Sequence, residues 1–342
     1  ILSAGAFNTP QLLKLSGIGP REELEALGIK VRVNLPAVGT NLQDRYEVGV
    51  VTEMKSLLGS EVNYSTTTDC TFGKGVRDAC WTDLAACQEA DFAGDKCLSD
   101  WRNGSGVYTS NGTVVGVVKR STPDKELPDL FVFGAPGYFK GYEPGYATKA
   151  VSKKNRFTWA VLKAHTGNTA GTVTLRSADP FDTPDINFKY FHEGTSEAAE
   201  RDLDAVAEGV LFARKITEQA QVTLLPLAAK SQEVVPGPAV QTKEQIKNFV
   251  RNEAWGHHAS CTVPIGRVDP REKLDAHGEL MGDSDVRAAL DQDFRVRGTT
   301  GLRVVDASVF PKIPGFFIVV PIYIVSEKAS DVILQAAGRS TG

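Results

Sequence analysis

Ile1-Leu-Ser-Ala4-Gly5-Ala-Phe-Asn-Thr9-Pro10-Gln-Leu12-Leu13-Lys-Leu15-Ser-Gly17-Ile-Gly19 reads as a short buried strand running straight into a capped helix. Residues 1–4 form the apolar run, and Gly5 permits a sharp turn. Thr9 can cap, and Pro10 suits the first helical position, where a missing N–H costs nothing. Leu12, Leu13 and Leu15 are then expected to bury one face, with Gly17 stopping the helix. With no start methionine and no strand partner ahead of it, the stretch reads as the middle of a fold.

This stretch resembles the second signature of the glucose-methanol-choline (GMC) flavoprotein oxidoreductases: a small residue, two variable positions, Thr-Pro, two aliphatics and then Ser-Gly-Ile-Gly. In that family the signature lies well past the middle of the flavin domain. The resemblance implies that the chain corresponds to the C-terminal half to two thirds of such an enzyme. The Gly-x-Gly-x-x-Gly turn that would cradle the FAD pyrophosphate is absent from residues 1–342 and is expected upstream. An N-terminal FAD-binding segment would thus be required, and these residues alone are expected to retain little or no FAD.

Composition agrees with two globular domains: 342 residues, 42% hydrophobic. The net charge of −4 comes from 38 basic and 42 acidic residues with no block of one sign, which argues against a nucleic-acid or membrane-surface partner. The longest apolar run, 316–325, is about half of a membrane span and contains Pro321, so it reads as core. Cys70, Cys80, Cys87 and Cys97 fall in one polar stretch, without the close pairs a zinc site wants, and no metal is expected. Two disulfides fit, their pairing left open. Sequons at Asn63, Asn103 and Asn111 flank the same region. Together these features point to an oxidising, extracellular compartment and a glycoprotein.

Further along, 20–27 reads as a helix ended by Gly28, and 29–33 as a strand. Pro36-Ala-Val-Gly39-Thr-Asn-Leu-Gln-Asp44 resembles the loop where the family's chain leaves the flavin domain; the family usually follows that Asp with His, and Arg45 stands here. Residues 58–112 read as a loop-rich insertion. Strands are expected at 127–133 and 171–177. A helix from about Ser196 carries Leu203, Val206, Val210 and Ala213 on one face, with Glu197 and Glu200 near its positive end. A second opens on a Thr242-x-x-Gln245 capping box and buries Ile246, Phe249 and Val250. Val296-Arg-Gly-Thr-Thr-Gly-Leu-Arg-Val-Val-Asp306-Ala307-Ser-Val-Phe-Pro311 resembles the returning strand, and Pro321 starts the terminal helix through Ala337.

The expected fold is therefore α/β, with an α+β substrate domain. A partial FAD-binding Rossmann-like domain (1–45 and 295–342) is joined to a mainly antiparallel-sheet substrate domain with helices (46–294).

Trp255-Gly-His257-His258-Ala-Ser-Cys261-Thr262-Val-Pro-Ile-Gly266 resembles the family segment His-Pro-Val-Gly-Thr-x-x-Met-Gly and places His258 on the catalytic histidine. Alcohol oxidation removes the O–H proton as hydride leaves the adjacent carbon, a task that suits a neutral imidazole. If the backbone there is extended, His257 points to the opposite side and has a supporting role. The family's second polar residue, His or Asn, falls on Phe317, which neither accepts a proton nor donates a hydrogen bond. By resemblance Ala4, Gly5, Asp306, Ala307, Val319 and Val320 would contact FAD, the two valines presenting N–H groups at a helix N-terminus. Cys261, amid small and apolar neighbours, reads as inert. Phe131, Phe133, Tyr138 and Phe139 could line an apolar pocket but read first as core.

The implied activity is FAD-dependent oxidation of a small-molecule alcohol, with oxygen or a quinone reoxidising the flavin. Two alternatives are an FAD-binding lyase that cleaves cyanohydrins, and a non-catalytic secreted GMC descendant.

Overall fold

A computed structural model describes residues 1–55, 96–109, 111–152, 155–191, 196–224 and 230–338. Most of the 58–112 insertion, Asn63, Cys70, Cys80 and Cys87 fall outside the described residues, and with them the disulfides. The elements that matter here are α1 (Gly5–Leu15), β1 (Tyr46–Lys55), β2 (Val115–Lys119), β3 (Leu130–Pro136), β4 (Arg156–Lys163), α2 (Ser196–Leu224), β5 (Lys230–Val235), α3 (Lys243–Glu253) and α4 (Val319–Ala336). The chain divides into two compact units: one holds 1–45, 164–202 and 256–342, the other 46–163 and 203–255. Residues 164–202 and 256–294 pack in the unit that holds both chain ends.

The second unit is built on one antiparallel sheet in the order β2-β3-β4-β1-β5. β1 lies between β4 and β5, and its Tyr46, Val48, Val50 and Val51 are almost fully buried, as expected of a β-branched and aromatic run in an inner strand. The expected face of α2 is the buried one: Leu203, Val206, Val210 and Ala213 are at most 1% exposed. Gly209 lets the helix approach the sheet, since a Cβ there would lie 2.3 Å from Val161 Cγ1. The Thr242–Gln245 capping box forms in full at the start of α3. Along β3, Leu130 and Val132 are buried while Phe131 and Phe133 stack on each other, centroids 5.1 Å apart, on the half-exposed face rather than in the core. Phe139 joins Tyr142, Tyr146 and Trp255 in an edge-to-face cluster.

In the first unit the expected strands shrink to short pairings. Residues 1–4 make a single parallel bridge, Leu2 with Val304. The strand expected at 29–33 is Val33–Asn34, parallel to Ile18–Gly19, and that expected at 171–177 is Thr172–Thr174. One core gathers them: Leu13, Ile18, Val33, Leu35, Val38, Val263, Leu290, Val304 and Val309, with Ala329 of α4.

The first helix starts earlier than Thr9. Its first residue is Gly5, at φ +84°, so that Thr9 and Pro10 lie inside it. The buried positions are Ala6, Thr9, Pro10, Gln11, Leu13 and Lys14, a face that turns Leu12 outward (41% exposed) and leaves Leu15 half-buried. Lys14 is buried against Glu23, 2.7 Å away, and also donates to the Val173 carbonyl. A proline within a helix leaves the carbonyl four residues back without its N–H partner, here Ala6, and the Thr262 hydroxyl supplies the bond at 2.7 Å. Thr262→Val is isosteric and strands that buried carbonyl. The expected loss of stability is about 1–3 kcal/mol, read as a lower urea midpoint at unchanged slope.

Candidate active site

The site in the first unit is assembled from three segments: 43–45, 256–262 and 314–320. Gln43 and Ser260 pair as an antiparallel bridge, which lays the histidine segment beside the Asp44-Arg45 dipeptide. Asp44 Oδ1 accepts the His258 N–H at 2.8 Å and the Arg45 N–H at 2.7 Å, while Oδ2 accepts the Tyr190 hydroxyl at 2.8 Å. Burial raises the Asp44 pKa against the pull of those three donors. Gly256 is confined by the same groups: a Cβ there would sit 2.5 Å from Arg45 O, Asp44 Oδ2 and Tyr190 Oη alike.

His258 is 6% exposed, and its ring meets that of Phe317 edge to face, centroids 5.6 Å apart. The two positions that the sequence paired are thus neighbours. The chain bends at His257 instead of staying extended, so the two histidine rings lie on the same side, 4.1 Å apart, and His257 is exposed. Burial first, then the neighbouring His257 and the Arg45 charge, pushes the His258 pKa down from 6.5 to about 3. His258 is therefore neutral at physiological pH. The unfolded chain binds this proton from about pH 6.5 down to about pH 3 and the folded chain does not, so His258 withdraws stability as pH falls through that window.

Cys261 is buried, with its thiol pKa pushed up to about 12 by burial, in keeping with an inert residue. Its φ of +75° is left-handed, a conformation costing a non-glycine residue about 1–2 kcal/mol. The quoted family segment has Gly at this position, and that replacement was the readable signal.

The residues assigned to FAD divide into two groups. Asp306 accepts from Gly5 N, Thr9 Oγ1 and Ser308 N, and Thr9 Oγ1 accepts from Ala4 N, so the Ala4 and Gly5 amides and the Asp306 carboxylate join α1 to the 307–309 turn. Ala307 is 9% exposed, its carbonyl bonded to Cys261 N. Val319 and Val320 behave differently. They are the first two residues of α4, which begins at Val319 and not at Pro321, and helix geometry leaves their N–H groups without an intrahelical acceptor. Both side chains are more than half exposed, and Phe317 is 41% exposed. Apolar side chains beside amide dipoles, with no acid in the helix's first turn, fit an aromatic ring that takes on negative charge when reduced, as a flavin does. No role in the site was readable for Asp44, Arg45 and Tyr190, because nothing local marks a charged dipeptide as buried.

Two profiles of the GMC oxidoreductase family match the chain, at residues 1–47 and 167–326. An oxygen-dependent choline dehydrogenase of Staphylococcus aureus is 30% identical over 339 residues, 97% of this chain and 49% of the relative. Three solved structures share the fold. A variant of formate oxidase from Aspergillus oryzae has a TM-score of 0.68 at 22% identity, covering 98% of this chain and 54% of the other. Pyridoxine 4-oxidase from Mesorbium loti has 0.64 at 18%, covering 99% and 51%. A fungal aryl-alcohol oxidase has 0.56 at 23%, covering 98% and 54%. The chain belongs to the GMC oxidoreductases, flavoproteins whose cofactor is FAD. It spans about half the length of the curated relatives it matches.

Proposed function

We propose that the complete protein oxidises the carbinol of a small-molecule alcohol, with His258 as the base. The observation that carries this reading is the buried, neutral imidazole of His258 set against Phe317. Bound FAD would supply the hydride acceptor, with oxygen or a quinone as the final electron acceptor. Val319 and Val320 would hold the flavin's edge with their N–H groups. His258 would accept the hydroxyl proton on its ring nitrogen. A base this weak removes little from an intact alcohol, but the hydroxyl acidifies steeply as hydride departs, so proton transfer follows or accompanies hydride loss. Phe317 sets an apolar ring against His258 where the family's second polar residue falls.

The pH dependence follows. The reduction rate is expected to stay flat from pH 8 to pH 5, with no acid limb near 6.5, because His258 remains neutral throughout. An acid limb centred near 6.5 would contradict this account of the base.

The test is the visible spectrum of the protein expressed from its complete reading frame, before and after anaerobic addition of primary alcohols and sugars. Bleaching of the flavin bands supports the reading. Phe317 favours a second one, in which FAD is bound without alcohol oxidation: persistent bands with cyanide released from a cyanohydrin would indicate a lyase, and persistent bands alone a non-catalytic descendant. The clustered cysteines, and the exposed Asn103 and Asn111 sequons, support an extracellular, glycosylated protein as part of the same proposal.

A further inference from the structure

Arg45 is fully buried, and its guanidinium donates to main-chain carbonyls. Nε donates to Phe316 O at 3.1 Å, and one Nη donates both to Pro314 O at 2.5 Å and to Gly315 O. Three successive carbonyls directed at one point repel each other unless a fork of donors meets them, and guanidinium is the side chain that offers one. The imidazole usual in this family carries at most two N–H groups and could not span the three. The main chain of Arg45 faces the other way: its N–H shares Asp44 Oδ1 with His258 N, and its carbonyl accepts from the Tyr190 hydroxyl at 3.3 Å.

The geometry points to Arg45 as a positioning residue: its side chain grips the turn presenting Phe317, its N–H is held by the same Asp44 oxygen that holds His258 N, and it thereby ties the turn to the histidine segment and sets how those two rings meet. The consequence rests on His258 acting as the base, for the ring of Phe317 then bounds the space left to the alcohol carbon. The Arg45 charge also opposes protonation of His258, in the same sense as the geometry. A chain with His at position 45 would present residue 317 from a looser turn.

The test is histidine-selective NMR of the complete protein, with His258 assigned by its loss in His258→Gln. The observable is the ring-current shift that Phe317 imposes on the carbon-bound protons of His258, taken as the difference from Phe317→Leu. Arg45→Lys, which keeps a multiple donor, is expected to retain at least half of that shift, and Arg45→Met to lose most of it. If Arg45→Met does not fold, Arg45→Gln is read in its place. A full shift in Arg45→Met or Arg45→Gln overturns the proposal, as does a folded Arg45→Lys without the shift, or a wild type without one. Collapse of every variant would make Arg45 a residue of folding alone and would also overturn it. The readout needs no alcohol and no turnover, so it stands or falls apart from the alcohol-oxidation reading.

Discussion

His258→Ala, in the protein expressed from its complete reading frame, is expected to slow flavin reduction by alcohol about 100- to 10,000-fold while FAD stays bound. The size follows from what the imidazole has around it. His258 is anchored through its own N–H to Asp44, so its side chain can be removed without dissolving that anchor. Phe317 opposite has no group that could take the proton. His257 sets the floor: its ring is 4.1 Å from that of His258, and an exposed imidazole there can recover part of the rate. Anaerobic stopped-flow reduction is the measurement, and unchanged kinetics in His258→Ala would remove His258 from the role. The double variant with His257→Ala should then approach the 10,000-fold end of that slowing, about the largest loss expected.

Gly256→Ala is the second change with a large expected effect, this time on stability. The added methyl would lie 2.5 Å from three oxygens, two of them already joined by the Tyr190–Asp44 hydrogen bond. None is the tip of a flexible aliphatic chain, so relief means moving the Asp44-Arg45 backbone or breaking that bond. The loss should be about 3 kcal/mol, the upper part of the usual overpacking range, read as a lower urea midpoint. Tyr190→Phe removes one of the three oxygens, so Gly256→Ala should cost less in that background than alone. A loss within about 0.5 kcal/mol of zero would mean that the segment is looser than its contacts indicate.

Locally encoded features were legible from sequence. The Thr242 cap closes on Gln245 three residues away, and the apolar face of α2 follows a single helical period. The start of α1 was not legible: Asp306, which ties down its first turn, lies 301 residues along the chain. Thr9 has the composition of a cap but spends its hydroxyl on Asp306 and the Ala4 amide. Likewise His258 and Phe317 were readable as a pair because each sits in a recognisable segment. Asp44 and Arg45 were legible only as part of the loop leaving the flavin domain, since most of their partners are backbone groups that no residue pattern announces. The bend at His257 that puts both imidazoles on one side was also invisible, because adjacent residues imply opposite faces only when the backbone is extended.

The bonds that hold the histidine segment also bear on the order in which the chain can fold. His258 N reaches back 214 residues to Asp44, Ser260 Oγ 217 residues to Gln43, and Thr262 Oγ1 256 residues to Ala6. During synthesis the N-terminal side of each pair emerges first and must wait, with Ala6's carbonyl lacking Thr262 and Asp44's carboxylate lacking His258, until more than two hundred further residues have followed. The sheet of β1, β3 and β4 can form in that interval, but the site cannot. It is therefore among the last parts to close, and a ribosome-bound chain halted before residue 258 should already protect β4 from exchange while leaving 43–45 open.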